Sequence, residues 1–150
     1  MREIGHFIDG QRVKGQSGRL KDIFDPNTGA VQAQVAMATP AELDAAVKTA
    51  EESQKVWAQV NPQKRSRILF AYKQLVEKNM DDLAAMLSSE HGKVIADSRG
   101  DVMRGIDVIE FACGIPHSQK GEHTYGAGPE IDVYSMRKPL GVVAGITPFN

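Results

Sequence analysis

Two residues sit in sequence settings that could do chemistry, Asn150 and Arg104. Asn150 comes straight after Thr147-Pro148-Phe149, which follows the apolar run Leu140-Gly141-Val142-Val143-Ala144-Gly145-Ile146. That run is too short for an independent helix and, as a strand, would be buried on both faces, the pattern of a central parallel strand. A proline directly behind it forces the chain out of the sheet at the C-terminal edge, where open α/β sheets bind ligands. An amide at that place is either an ordinary polar loop residue or a donor facing a bound molecule. Arg104 falls on a helical face with Val108 and Phe111. A guanidinium in that apolar setting needs a carboxylate or an equivalent partner, and a ligand carrying its own carboxylate would fit. The plainer reading pairs Arg104 with Asp101 and Asp107, three residues to either side, in surface ion pairs of about 0.2–0.5 kcal/mol each.

Other reactive side chains read as structural. Cys113, the single cysteine, is in phase with Val102, Ile106 and Ile109, and a thiol on a helix's apolar stripe is usually an inert core residue. It also rules out an intrachain disulfide. His6, His91, His117 and His123 nowhere take the spacing of a helical metal-ligand pair, so no metal is expected. His91, one residue before Gly92, suits a helix C-terminus, where a cation is favoured. Trp57, Phe70 and Tyr72 read as packing residues.

The elements that must position these groups begin with short strands. Phe7-Ile8, Asp9-Gly10 and Gln11–Val13 form a hairpin pattern, and a second turn at Asp25-Pro26-Asn27-Thr28-Gly29 precedes alternating Val31, Ala33 and Val35. Together they predict a small antiparallel sheet. Thr39-Pro40-Ala41-Glu42 matches a capping box opening a helix with Leu43, Ala46, Val47, Ala50 and Trp57 on one face. Asn61-Pro62 starts a second helix with an Ile68, Leu69, Tyr72, Leu75, Val76 stripe. A third follows Asn79 and closes at Gly92. The next helix is expected over about Asp101 to Cys113, covered on both sides. A loop over Gly121 to Pro129 and an alternating strand Ile131 to Met136 then lead to the break at Lys138-Pro139.

Composition narrows the function classes. With 41% hydrophobic and 25% charged residues over 150 positions, the chain reads as an ordinary soluble globular protein rather than a disordered one, and its strand and helix patterns make it α/β. No apolar run approaches the roughly 20 residues of a membrane-crossing helix, and Met1-Arg2-Glu3-Ile4 does not open a signal peptide, so a cytoplasmic protein is expected. Basic and acidic residues are mixed and leave a net charge of −1, which provides no basic stripe for nucleic acid.

Gly145-Ile146-Thr147-Pro148-Phe149-Asn150 resembles the strand-to-loop element of aldehyde dehydrogenases. The resemblance continues through Phe7-Ile8-Asp9-Gly10, Asp25–Gly29, Glu90-His91-Gly92-Lys93, Tyr134-Ser135 and Pro139–Val142, in order and spacing over nearly the whole chain. Gly100–Gly105 and Val108–Cys113 look like the methylmalonate-semialdehyde dehydrogenase branch, whose members are acylating and use coenzyme A. The resemblance implies that residues 1–150 are the N-terminal part of a Rossmann-type NAD-binding domain, with small antiparallel strands, several helices and the first core parallel strand. Residues 121–138 would form the loop and strand of an oligomerisation arm, and the intact protein would be a homo-oligomer, a tetramer.

On the same resemblance, Asn150 would be the oxyanion-hole residue, Thr147 and Phe149 would line the NAD cofactor, and Arg104 would bind the substrate's carboxylate. Thiolate attack on an aldehyde yields a tetrahedral oxyanion, and removing one donor to such an oxygen typically costs about 10²–10³ in rate. The nucleophilic cysteine, the general-base glutamate and the second glycine-bearing turn of the cofactor site are expected beyond Asn150, so these 150 residues alone are expected to be inactive. The expected reaction is oxidation of methylmalonate or malonate semialdehyde to acyl-CoA with NAD. A non-acylating aldehyde dehydrogenase that uses water, and a helix-rich binding or scaffold module without chemistry, remain the alternatives.

Overall fold

The computed structural model describes residues 1–147. The chain opens with β1 (Arg2–Ile4), β2 (His6–Ile8), β3 (Gln11–Val13), β4 (Leu20–Phe24) and β5 (Val31–Ala36). Then come α1 (Pro40–Ala58), α2 (Pro62–Lys78), α3 (Met80–His91), α4 (Ile95–Cys113), the single turn α5 (Ile115–Ser118), and the strands β6 (His123–Gly128) and β7 (Ile131–Tyr134).

The β2–β3 hairpin turns at Asp9 and Gly10, both with positive φ of 53° and 72°, the geometry an Asp-Gly pair supplies. The Asp25 carboxylate accepts the Asn27 N–H at 2.8 Å, and the Asp25 carbonyl accepts the Gly29 N–H at 2.8 Å. This closed turn brings β5 back antiparallel to β4. The sheet is mixed rather than purely antiparallel, because β1 pairs with β5 in parallel, Arg2 opposite Ala33 and Ile4 opposite Val35. Parallel partners are distant in sequence, so local turn signals do not reveal them.

Helix starts follow their capping chemistry. Thr39 Oγ1 accepts the Glu42 N–H at 3.1 Å and the Glu42 carboxylate accepts the Thr39 N–H at 2.8 Å, the reciprocal box anticipated for α1. The other oxygen of Glu42 accepts the Gln16 N–H at 2.7 Å, and the His6 imidazole lies 3.8 Å from that oxygen. Asn61 Oδ1 caps α2 through the Lys64 N–H at 2.9 Å. Asn79 serves both α2 and α3: its side-chain amide donates to the Leu75 carbonyl at 2.7 Å, while its own carbonyl accepts the Leu83 N–H at 3.0 Å to open α3. Gly92 closes α3 in the left-handed region at φ 86° and returns its N–H to the Ser88 carbonyl at 2.8 Å.

The helical core forms where α4 packs on α2 and α3, with α5 against α2. Ile106 and Cys113 of α4, Ala84 of α3 and Ser66 of α2 are buried there. Ser66 Oγ donates to the Cys113 carbonyl at 2.7 Å, and the hydroxyls of Ser88 and Ser98 meet at 2.7 Å. Cys113 is a buried free thiol, as its helical phase indicates.

Four expectations need correction. α4 begins at Ile95, not near Asp101; its buried stripe starts with Ser98, a polar residue one turn before Val102 that hides the first turn from a hydrophobic pattern. Residues 121–129 are not a loop, since His123–Gly128 pairs with β7. This glycine-containing strand is fixed by polar anchors, Gly126 N–H to Asp132 at 2.8 Å and Glu122 N–H to Ser135 Oγ at 2.8 Å. Leu140–Ile146 does not form the central parallel strand; Leu140 is 94% exposed, and among the described residues no strand pairs with the segment. A parallel strand gains its ladder only from neighbours. Lastly, α4 is covered on one side only, for Val108 and Phe111 are exposed, as are about half of Trp57, Phe70 and Tyr72. These packing residues are only partly covered among the described residues.

Truncating Ile106, the one large aliphatic side chain buried between these helices among the described residues, should be costly. Ile106→Ala is expected to lower the intact protein's stability by about 2–4 kcal/mol, read as a fall in the denaturant midpoint with little change in slope.

Candidate functional site

Arg104 projects from the middle of α4, and its position follows from the turn that precedes the helix. Gly92 reverses the chain in a conformation that strains side-chain-bearing residues, and a Cβ there would also lie 2.9 Å from the Pro26 ring. The reversal brings Lys93 beside Asp101, two turns into α4. Lys93 Nζ donates to Asp101 Oδ2, and Arg104 Nη1 donates to Asp101 Oδ1 at 3.2 Å. One carboxylate thus carries two cations. The Lys93 and Asp101 side chains are 15% and 23% exposed, whereas Arg104 is 81% exposed.

This arrangement holds the Asp101 carboxyl below the ordinary aspartate range. The Lys93 hydrogen bond is the largest cause, opposed by partial burial and reinforced by the charges of Lys93, Arg104 and His91. Asp101 therefore stays ionised, and Arg104 spends one N–H on it. Among the described residues, Nη2 and Nε of Arg104 make no hydrogen bond, and its ion pair is with Asp101, not Asp107. Val108 and Phe111, on the same face, are open to solvent, Phe111 being 84% exposed.

Of the other residues singled out from sequence, Thr147 is exposed and outside any strand, and no hydrogen bond joins it to Arg104 among the described residues. Phe149 and Asn150 lie outside the described residues. Among the described residues, no group of three or more His, Cys, Asp or Glu is placed to hold a metal ion. Nor is any helix there long and apolar enough to cross a membrane. Lys93 is the residue that sequence reasoning passed over. Its signal was a lysine just past a helix-closing glycine, eight residues before an aspartate, a spacing that means nothing until the reversal is known.

The sequence profile of the aldehyde dehydrogenase family matches residues 13–150. The chain belongs to this family. The match sets aside the reading as a helix-rich module of another class.

Within the aldehyde dehydrogenases, the chain is 40% identical over 150 residues to malonate-semialdehyde dehydrogenase of Pseudomonas aeruginosa, covering all of this chain and 30% of that protein. It is 40% identical over 144 residues to the acylating mitochondrial methylmalonate-semialdehyde/malonate-semialdehyde dehydrogenase of Mus musculus, covering 96% of this chain and 27% of that one. A crystal structure from Sinorhizobium meliloti, assigned as a methylmalonate-semialdehyde dehydrogenase complexed with NAD, superposes with a TM-score of 0.96 at 57% identity. It covers all of this chain and 30% of that chain. The chain thus spans about 30% of the length of these relatives, and its α/β elements are those of an aldehyde dehydrogenase's N-terminal part.

The depressed Asp101 carboxyl links this cluster to acid stability. A carboxylate whose folded pKa is lowered stabilises the fold at pH above its unfolded value, about 3.9. That contribution is lost as pH falls from there through the folded value. Asp101→Asn is expected to flatten this part of the acid limb, measured as melting temperature against pH for both proteins.

Proposed function

We propose that this chain is the N-terminal part of an NAD-dependent, CoA-acylating dehydrogenase that oxidises methylmalonate semialdehyde and malonate semialdehyde to acyl-CoA. The observation that carries this reading is Arg104: a permanent cation beside exposed Val108 and Phe111, with most of its donors uncommitted among the described residues. A semialdehyde brings its own carboxylate, and a guanidinium binds that group through paired, charge-assisted hydrogen bonds. The relatives named for malonate and methylmalonate semialdehyde support the same substrate class.

NAD, when bound, accepts the hydride released as the aldehyde carbon is oxidised. Thr147, Phe149 and Asn150 are proposed to meet the reacting molecules. Thr147, the one of these that the structure describes, is exposed, and a threonine hydroxyl suits a contact to a polar cofactor. Asn150 would direct its amide N–H at the oxygen that gains charge, an interaction that matters most in the transition state. Arg104 would hold the far end of the substrate, limiting its motion while the aldehyde reacts. Coenzyme A as acyl acceptor is supported by the acylating mouse relative.

We also propose a homotetramer and a cytoplasmic location. The exposed β6–β7 hairpin, within the 121–138 arm, supports the assembly, because an uncovered two-stranded ribbon invites pairing at its edges.

Two measurements test this function. The intact protein, given methylmalonate semialdehyde and NAD, is expected to form NADH and acyl-CoA when coenzyme A is present; a free acid formed equally well without coenzyme A would replace the acylating reading. Arg104→Leu is expected to reduce kcat/KM for methylmalonate semialdehyde relative to propanal by about 10- to 150-fold, the equivalent of one lost charge-assisted bond. An unchanged ratio would show that the carboxylate is bound elsewhere.

A further inference from the structure

Arg104 faces a competitor before any substrate arrives. Asp101 lies one turn away on α4 and already accepts from Arg104 Nη1 at 3.2 Å. An aspartate at that distance with no other partner would swing both oxygens to the guanidinium and cancel the charge a substrate carboxylate must find. Lys93 prevents this by holding Oδ2, from a position fixed by the Gly92 reversal and only 15% exposed. Two cations around one carboxylate leave a positive charge in excess, and it resides on the exposed member, Arg104.

We propose that Lys93 is a positioning residue for substrate recognition: by occupying one oxygen of Asp101 it leaves the Arg104 guanidinium uncompensated and free for a carboxylate-bearing substrate. The inference rests on the reading of Arg104 as the carboxylate's anchor. It adds that selectivity for anionic aldehydes depends on a side chain that does not touch the substrate. The lowered Asp101 carboxyl agrees with it, since the Lys93 hydrogen bond is the largest cause of that shift. Without Lys93, Asp101 would remain charged at neutral pH and turn to Arg104.

The test uses the intact enzyme and the ratio of kcat/KM for methylmalonate semialdehyde to that for propanal. Lys93→Met should lower the ratio by about five- to tenfold, a fraction of the Arg104→Leu loss, through a higher KM for the semialdehyde. Lys93→Arg should restore it. Adding Asp101→Asn to Lys93→Met should also restore it, because the competing carboxylate is gone; a lysine that merely ties α3 to α4 would show no such rescue. Asp101→Asn alone keeps the test alive should Lys93→Met fail to fold, and its ratio should equal or exceed wild type. A fall with Asp101→Asn, or no fall with Lys93→Met, overturns the proposal while leaving Arg104 as anchor. If Arg104→Leu itself leaves the ratio unchanged, both fall together.

Discussion

The burial of one face of α4 against α2 and α3 is the constraint on which the remaining arrangement depends. Ser98, Ile106 and Cys113 point inward from a single stripe, and the Ser66 hydroxyl bonded to the Cys113 carbonyl fixes the end of the helix against its neighbour. Once that face is set, the 3.6-residue period leaves Arg104, Val108 and Phe111 on the open side. Arg104 is displayed because its own face was not chosen for packing. The same contact draws α3 alongside α4, so the short turn between them must reverse at Gly92, and Lys93 is delivered to Asp101.

How much of this was legible in the sequence differs by element for physical reasons. Capping residues announce themselves locally: Thr39 with Glu42, Asn61 before Pro62 and Gly92 all act within a few residues, and each bounds the helix expected of it. Asp9-Gly10 is equally local. Long-range pairing is not, so the parallel β1–β5 contact was invisible. Strand β6 was missed because backbone and side-chain polar bonds hold it rather than buried alternating apolar residues. The Leu140–Ile146 run shows the converse, a composition suited to a buried strand in a segment that has no partner to pair with among the described residues.

At the candidate site, Arg104 could be picked out by the tension between its charge and its apolar neighbours, and both readings of it hold something of the structure. It does pair with Asp101, as the surface ion-pair view expects. It also stands exposed beside Val108 and Phe111 with donors to spare among the described residues, as the carboxylate-anchor view requires. With one oxygen held by Lys93, Asp101 steadies the guanidinium without committing it. Sequence spacing alone could not separate these roles, because the side chain that divides Asp101 between two cations comes from another element.

The chain exposes 11888 Å², where a self-contained globular protein of its mass would expose about 7,500 Å². Large apolar side chains are among the exposed groups, and helix α1 carries several of them, Leu43, Val56 and Trp57 included. Among the described helices and strands it has no substantial packing partner, and at its first turn Glu42 serves both the cap and the Gln16 amide. With few contacts to the other helices, α1 can open as a unit separate from the α2–α4 block. Glu42 is the shared fastening: one carboxylate holds both the start of the helix and the loop after β3, so its loss would loosen the two together.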